Sequence, residues 1–222
     1  MIRITYAHDV VEEAVLLAER TAAVEAARAF RRARNLAYQI ADADERESAF
    51  REVHREWFAK MGLEGAIEQA IASRPELLTR LSHCRVLRAV RQQDEGADLF
   101  DRAVQASDAD RLPLLVITLR PALLLDRPSL SRLLGHELMH ISDMLDPAFG
   151  YRRALPSSDD GPSADNIVRD RYRVLWDVTI DGRIARAGFP IHEMRMLRSR
   201  EMEKRRSPTK VLRRQLSLRG SD

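Results

Sequence analysis

The chain carries six histidines in 222 residues, and two of them stand four apart in His136-Glu137-Leu138-Met139-His140. Positions i and i+4 lie one above the other on a helix, so both imidazoles can address a single ion. Glu137, the next residue along, projects beside them and can reach water on that ion. An H-E-x-x-H pentapeptide on a helix is the arrangement of zinc hydrolases, in which the histidines are ligands and the glutamate is the general base. Catalytic zinc takes three protein ligands and keeps one position open, so a third must come from elsewhere in the chain.

The surroundings of the pentapeptide decide whether it lies on a helix. Asp126, Arg127, Pro128 and Ser129 read as a helix start, with Ser129 or Asp126 as cap and Pro128 in the first turn. Leu130, Leu133, Leu134, Leu138, Ile141, Met144 and Leu145 then recur at helical spacing, and Pro147 ends the run. This face would bury the histidines, and a buried polar pair without ligand or partner is costly.

Two places can supply the third ligand. Asp143 and Asp146 follow on the same helix, Asp143 three residues beyond His140. One straight helix rarely gives three ligands, so these two support a ligand or face solvent. The other source is Leu175-Trp176-Asp177-Val178-Thr179-Ile180-Asp181-Gly182-Arg183-Ile184. Trp176, Ile180 and Ile184 form an apolar stripe, and Asp177 and Asp181 occupy the stripe beside it. Two carboxylates next to a buried face repel each other unless a cation compensates. A divalent ion would do so; pairing with Arg173 and Arg183 on a surface is the other possibility.

H-E-L-x-H followed by W-[ND]-x-x-x-D-x-x-I on a later helix resembles a group of bacterial zinc metallopeptidase domains of the zincin class. Those occur alone or near von Willebrand A-like domains. The resemblance implies His136, His140 and Asp181 as ligands of one Zn2+ per chain, with Glu137 as catalytic base. Asp177 stands where Asn is commoner, and Gly182 where a larger residue is usual, which keeps Asp177 as the alternative ligand. The likeness rests on about a dozen residues and leaves the N-terminal half unaddressed.

In such an enzyme zinc lowers the pKa of its water and polarises the scissile carbonyl, while the glutamate moves the proton. A donor to the transition state is also needed, and Tyr172, His192 and Tyr151 are candidates. Asp177 or Asp143 can orient a ligand histidine through its second ring nitrogen. His54 and His83, single histidines on predicted helices, read as exposed or hydrogen-bonded.

Hydrophobic residues make up 45% and charged ones 32% of the chain, the composition of a soluble globular protein with a sizeable core. No apolar run approaches the about 20 residues of a membrane span, and no signal-peptide pattern opens the sequence. A lone Cys84 excludes an internal disulfide framework. Together these features point to the cytoplasm. Residues 195–222 hold ten Lys or Arg against three acids, but this basic tail lacks the aromatic interleaving of a single-strand nucleic-acid binder.

The expected architecture is α+β, mostly helical and zincin-like, in one domain over residues 1–194 with a basic tail over 195–222. N-terminal helices fill about 9–82: one long helix from 9 to about 41, a second from Asp42 to about Met61, then short ones at 64–73 and 76–82. Strands at Arg85–Val90 and Leu114–Leu119 and the metal helix occupy about 85–146, with a polar stretch between the strands and a short strand or helix near Ala97–Ala103. Leu114–Leu119 is either an edge strand that pairs with substrate or a plain core strand. A surface loop from Pro147 to about Ser163 precedes the ligand helix at about 164–187, and a last helix starts near 191. The expected activity is peptide-bond hydrolysis on a peptide or protein substrate. A non-catalytic, metal-stabilised binding module and a hydrolase of non-peptide amides are the rival expectations.

Overall fold

A computed structural model describes residues 2–100, 112–152 and 161–187. The chain divides into two compact units, Met1–Leu155 and Pro156–Asp222. The first is α+β with a four-stranded mixed sheet. Its elements run β1 (Arg3–Tyr6), α1 (His8–Glu19), α2 (Val24–Tyr38), α3 (Ala43–Lys60), α4 (Gly65–Ala72), α5 (Pro75–Arg80), β2 (His83–Arg88), β3 (Gly96–Phe100), β4 (Leu114–Leu119) and α6 (Arg127–Leu145).

The strand order is β1-β2-β4-β3. β1, β2 and β4 are parallel, and β3 runs antiparallel to β4. Parallel neighbours need long crossovers, and α1 to α5 make the one between β1 and β2. β4 buries every second residue, Leu115, Ile117 and Leu119, the period-2 pattern of a sheet with one face on the core. Cys84 and Val86 of β2 join them, as do Val10, Ala14 and Val15 of α1, Phe58 of α3, and Leu130, Leu134, Leu138 and Ile141 of α6.

The strand before α6 is therefore not an edge. Leu114–Leu119 pairs on both sides, with β2 and with β3, and its near-continuous apolar run is what a central position requires. The edges are β1 and β3. β3 lies in the polar stretch, where Gly96, Ala97 and Asp98 carry little strand signal; the partner strand imposes its conformation. β2 begins and ends two residues earlier than the apolar run suggests, placing His83 on a strand and leaving Val90 74% exposed. Its register against β4, from His83↔Leu114 to Arg88↔Leu119, fixes those limits.

The expected long helix from 9 to about 41 is two helices. Arg20 to Ala23 separate them, with i→i−3 bonds from Arg20, Thr21 and Ala22 tightening the end of α1 and the Thr21 hydroxyl bonding back to the Ala18 carbonyl. A straight helix of that length would span about 50 Å, too long to bury both its apolar faces on one small core. The break lets Val10, Val11, Ala14 and Val15 enter the core while Phe30 of α2 meets Trp57 of α3 edge-on. α3 starts where expected, because the Asp42 carboxylate accepts from the Asp44 and Glu45 N–H groups. Gly62 follows it at φ 67°, the left-handed conformation of a helix stop.

The described part of the second unit is α7 (Pro162–Arg186). Gly161, at φ 86°, leads into Pro162 in the first turn, and Arg183 and Arg186 occupy the last. Ile180 and Ile184 are buried, whereas Leu175 and Val178 on another face are exposed. Most of the expected 147–163 loop, the helix near 191 and the basic tail lie outside the described residues. Among the described residues no helix is long and apolar enough to cross a membrane.

Cys84 is fully buried, and burial pushes its thiol up to about 12, so it is a core residue with no thiolate at neutral pH. Native protein should resist thiol reagents, with one label entering per chain on unfolding, read by intact mass. Rapid labelling of the folded chain would contradict this placement.

Candidate metal centre

The helix that carries the pentapeptide is held at its start and along its length. The Asp126 carboxylate caps it by accepting from the Ser129 N–H at 3.1 Å, with Pro128 in the first turn. Leu130, Leu134, Leu138 and Ile141 seat it in the core. On its flank, the Arg74 guanidinium donates to the Gly135 carbonyl at 3.1 Å, and the Ser142 hydroxyl donates to Glu76 at 3.0 Å. Arg80 donates to the Leu145 carbonyl. Three contacts from α5 and its approach thus fix the residue before His136 and the two turns after it.

His136 is buried, 4% exposed, and His140 is half-buried. Their ring centroids are 4.8 Å apart and the rings meet at 69°. One nitrogen of each lies within 4.8 Å of the other, so small side-chain rotations bring both onto one ion. The structure thus brings the two predicted histidine ligands together. Imidazole nitrogens so placed could hold a metal ion.

Glu137 is held by two donors. Its Oε2 accepts from the Ala97 N–H of β3 at 3.1 Å, and its Oε1 lies 3.1 Å from Nδ1 of His136. Burial alone raises a carboxyl pKa, but here the His136 hydrogen bond and charge, the Ala97 N–H and His140 outweigh it, so Glu137 sits below the usual glutamate value. An ionised carboxylate only accepts, so Nδ1 of His136 carries the proton. In the neutral ring, a proton on Nδ1 leaves Nε2 with its lone pair for an ion.

The donor on β3 is itself braced. Glu95, whose side chain is 7% exposed, accepts from the Arg120 guanidinium at 2.7 Å, tying the start of β3 to the end of β4. Gly96 lies against the same carboxylate, where a Cβ would stand 3.4 Å from Glu137 Oε2, in ordinary contact. Sequence reasoning missed Gly96 and Ala97, because a backbone donor leaves no mark in residue type. The Glu95–Arg120 pair, 25 residues apart, has no local signal either.

The other predicted residues fall in several places. Asp143, 5% exposed, is one turn beyond His140 on α6 and is buried rather than solvated. Asp177 and Asp181 are one turn apart on α7 of the second unit, both half-buried beside Ile180 and Ile184. Tyr172 is on the same helix, 40% exposed, with its ring 6.0 Å from that of Trp176. Tyr151 is half-buried in the first unit. His192 lies outside the described residues.

Removing the carboxylate that Ala97 and His136 share should destabilise the first unit. Glu137→Ala is expected to cost about 1–3 kcal/mol, and Glu137→Gln, which keeps an acceptor, about 1 kcal/mol or less. Because the folded pKa of Glu137 is depressed, its stabilisation is full at neutral pH and is lost as pH falls through the folded value. Urea unfolding of the three proteins at neutral and acid pH checks both the order and the sign. Equal stability of Glu137→Ala and wild type at pH 7 would refute it.

In comparisons with known proteins, no family model, no curated protein and no solved structure matches this chain.

Proposed function

We propose that the chain is a zinc-dependent metallopeptidase on a zincin-like frame, with one zinc at the α6 site. The observation that carries this reading is the His136/His140 pair with Glu137 beside it, its carboxylate ionised and held by an edge strand. His136 and His140 would hold the ion. The resemblance implies Asp181 as the third ligand, with Asp177 one turn earlier as the alternative. A zinc ion there supplies an activated water and polarises a carbonyl.

The remaining work belongs to the chain's own residues. Glu137 accepts the water proton and returns it to the leaving amine. It can do so while held, since each carboxylate oxygen has a lone pair beyond the one its donor uses. The Ala97 N–H keeps the carboxylate from rotating into the core. β3 has a strand partner on one side only among the described residues, so an extended peptide can add alongside it and lie past Glu137. This moves the substrate-pairing role from Leu114–Leu119 to Gly96–Phe100. Tyr172 and His192 are the candidates for stabilising the transition state.

One observation favours a second reading. Both oxygens of Glu137 are already engaged, which also suits a purely structural carboxylate in a non-catalytic, metal-stabilised binding module. Hydrolysis separates the two. Wild-type chain with zinc should cleave an unstructured polypeptide, and Glu137→Gln should keep its zinc but lose about 100-fold or more of that rate. Equal zinc and equal, near-zero turnover in both would favour the binding module. For the third ligand, zinc affinity should fall in Asp181→Ala and hold in Asp177→Ala; the reverse result moves the ligand by one turn.

A further inference from the structure

The helices of the first unit hold a second group of ligand-type side chains, formed by α1 and α3. His8 and Glu12 stand one turn apart on α1, with Nε2 and Oε2 3.9 Å apart. His54, in the middle of α3, joins them, its ring centroid 6.0 Å from that of His8. One nitrogen of each histidine and one carboxylate oxygen of Glu12 all lie within 4.8 Å of one another.

His54 is neither exposed nor hydrogen-bonded, contrary to the sequence expectation. It is 2% exposed, with the rings of Phe30 and Phe50 6.0 Å and 6.3 Å from its own. Neither Nδ1 nor Nε2 has a hydrogen-bond partner among the described residues. A buried polar group left in that state is costly, so the fold calls for something to meet it. A cavity of about 220 Å3 opens there, lined by Glu12, Leu16, Arg34, Tyr38, Phe50 and His54.

We propose that His8, Glu12 and His54 form a second site for a divalent transition-metal ion of the zinc class, separate from the α6 pair. Two imidazoles and one carboxylate suit zinc, whereas calcium and magnesium ask for oxygen ligands. Neither ring nitrogen of His54 is hydrogen-bonded among the described residues, so the neutral ring has a lone pair to offer an ion. Tetrahedral ligands about 2.1 Å from an ion stand about 3.4 Å apart. His8 and Glu12 are half-buried and can close that distance. His54 is buried beside Phe30 and Phe50, so it is the less mobile ligand of the three. Three protein ligands beside an open cavity leave the fourth position to water or a small anion, with Arg34 at the wall.

Zinc binding by the full chain tests this, with zinc chloride alone as the probe after chelator treatment. His8→Ala and Glu12→Gln alter half-buried side chains, and circular dichroism confirms that both remain folded. Each should bind one zinc fewer per chain than wild type, with that site weakened by at least about 100-fold, the upper end of what losing even a supporting partner costs. The difference from wild type is one zinc whether or not the α6 site binds. His136→Ala with His140→Ala should in turn keep the zinc that His8→Ala removes. Folded His8→Ala and Glu12→Gln chains with the same zinc count and affinity as wild type would overturn the site; a water molecule would then be what meets His54.

Discussion

The carboxylate of Glu137 is the point on which the α6 region depends. It lies in a half-buried position where desolvation works against its charge, and it persists because the Ala97 N–H and His136 Nδ1–H both point at it. The Ala97 contact joins an edge strand to the middle of a helix across 40 residues of chain. The His136 contact holds the ring through Nδ1, which in the neutral imidazole leaves Nε2 for an ion. The capping Asp126, the Arg74 contact at Gly135 and the Glu95–Arg120 pair all hold one of these partners in place.

Much of this was legible in the chain. α6 announced itself through Asp126, Pro128 and the leucine spacing, and β4 through five apolar residues among its six. The Asp42 cap and Gly62 stop of α3 were equally plain, because capping chemistry is local. What was hidden came from partners distant in sequence. The stretch near Ala97–Ala103 read as strand or helix; it is a strand, over Gly96–Phe100, because β4 pairs with it, although Gly96, Ala97 and Asp98 are poor strand formers. The break after Glu19 follows from the size of the core, which no window of α1 or α2 encodes. His54 looked unremarkable on α3, since its burial is set by Phe30 from another helix and its neighbour His8 is 46 positions away. The i, i+4 spacing of His8 and Glu12 was a usable signal, but it repeats the pattern of many solvated helix faces.

The two histidine groups differ in how they are secured. At α6 a carboxylate fixes the histidine through its second nitrogen, the outer support that metal-binding histidines usually have. At α1 and α3 both nitrogens of the buried histidine are without partners among the described residues, and aromatic rings do the positioning. The first arrangement orients a group for chemistry. The second leaves a polar group whose stability depends on what enters the cavity beside it. Both sit on helices that also carry core residues, Leu134 and Leu138 in one case and Trp57 and Phe58 in the other, so each site inherits the rigidity of the core.

The most direct test of the α6 account is zinc K-edge absorption spectroscopy on the His8→Ala chain loaded with one zinc. That variant takes the second cluster out of the signal. The account predicts a shell of nitrogen and oxygen near about 2.0–2.1 Å with the outer-shell scattering of two imidazoles, lost when His136 and His140 are both replaced by alanine. No zinc uptake, or a shell without imidazole scattering, would contradict it.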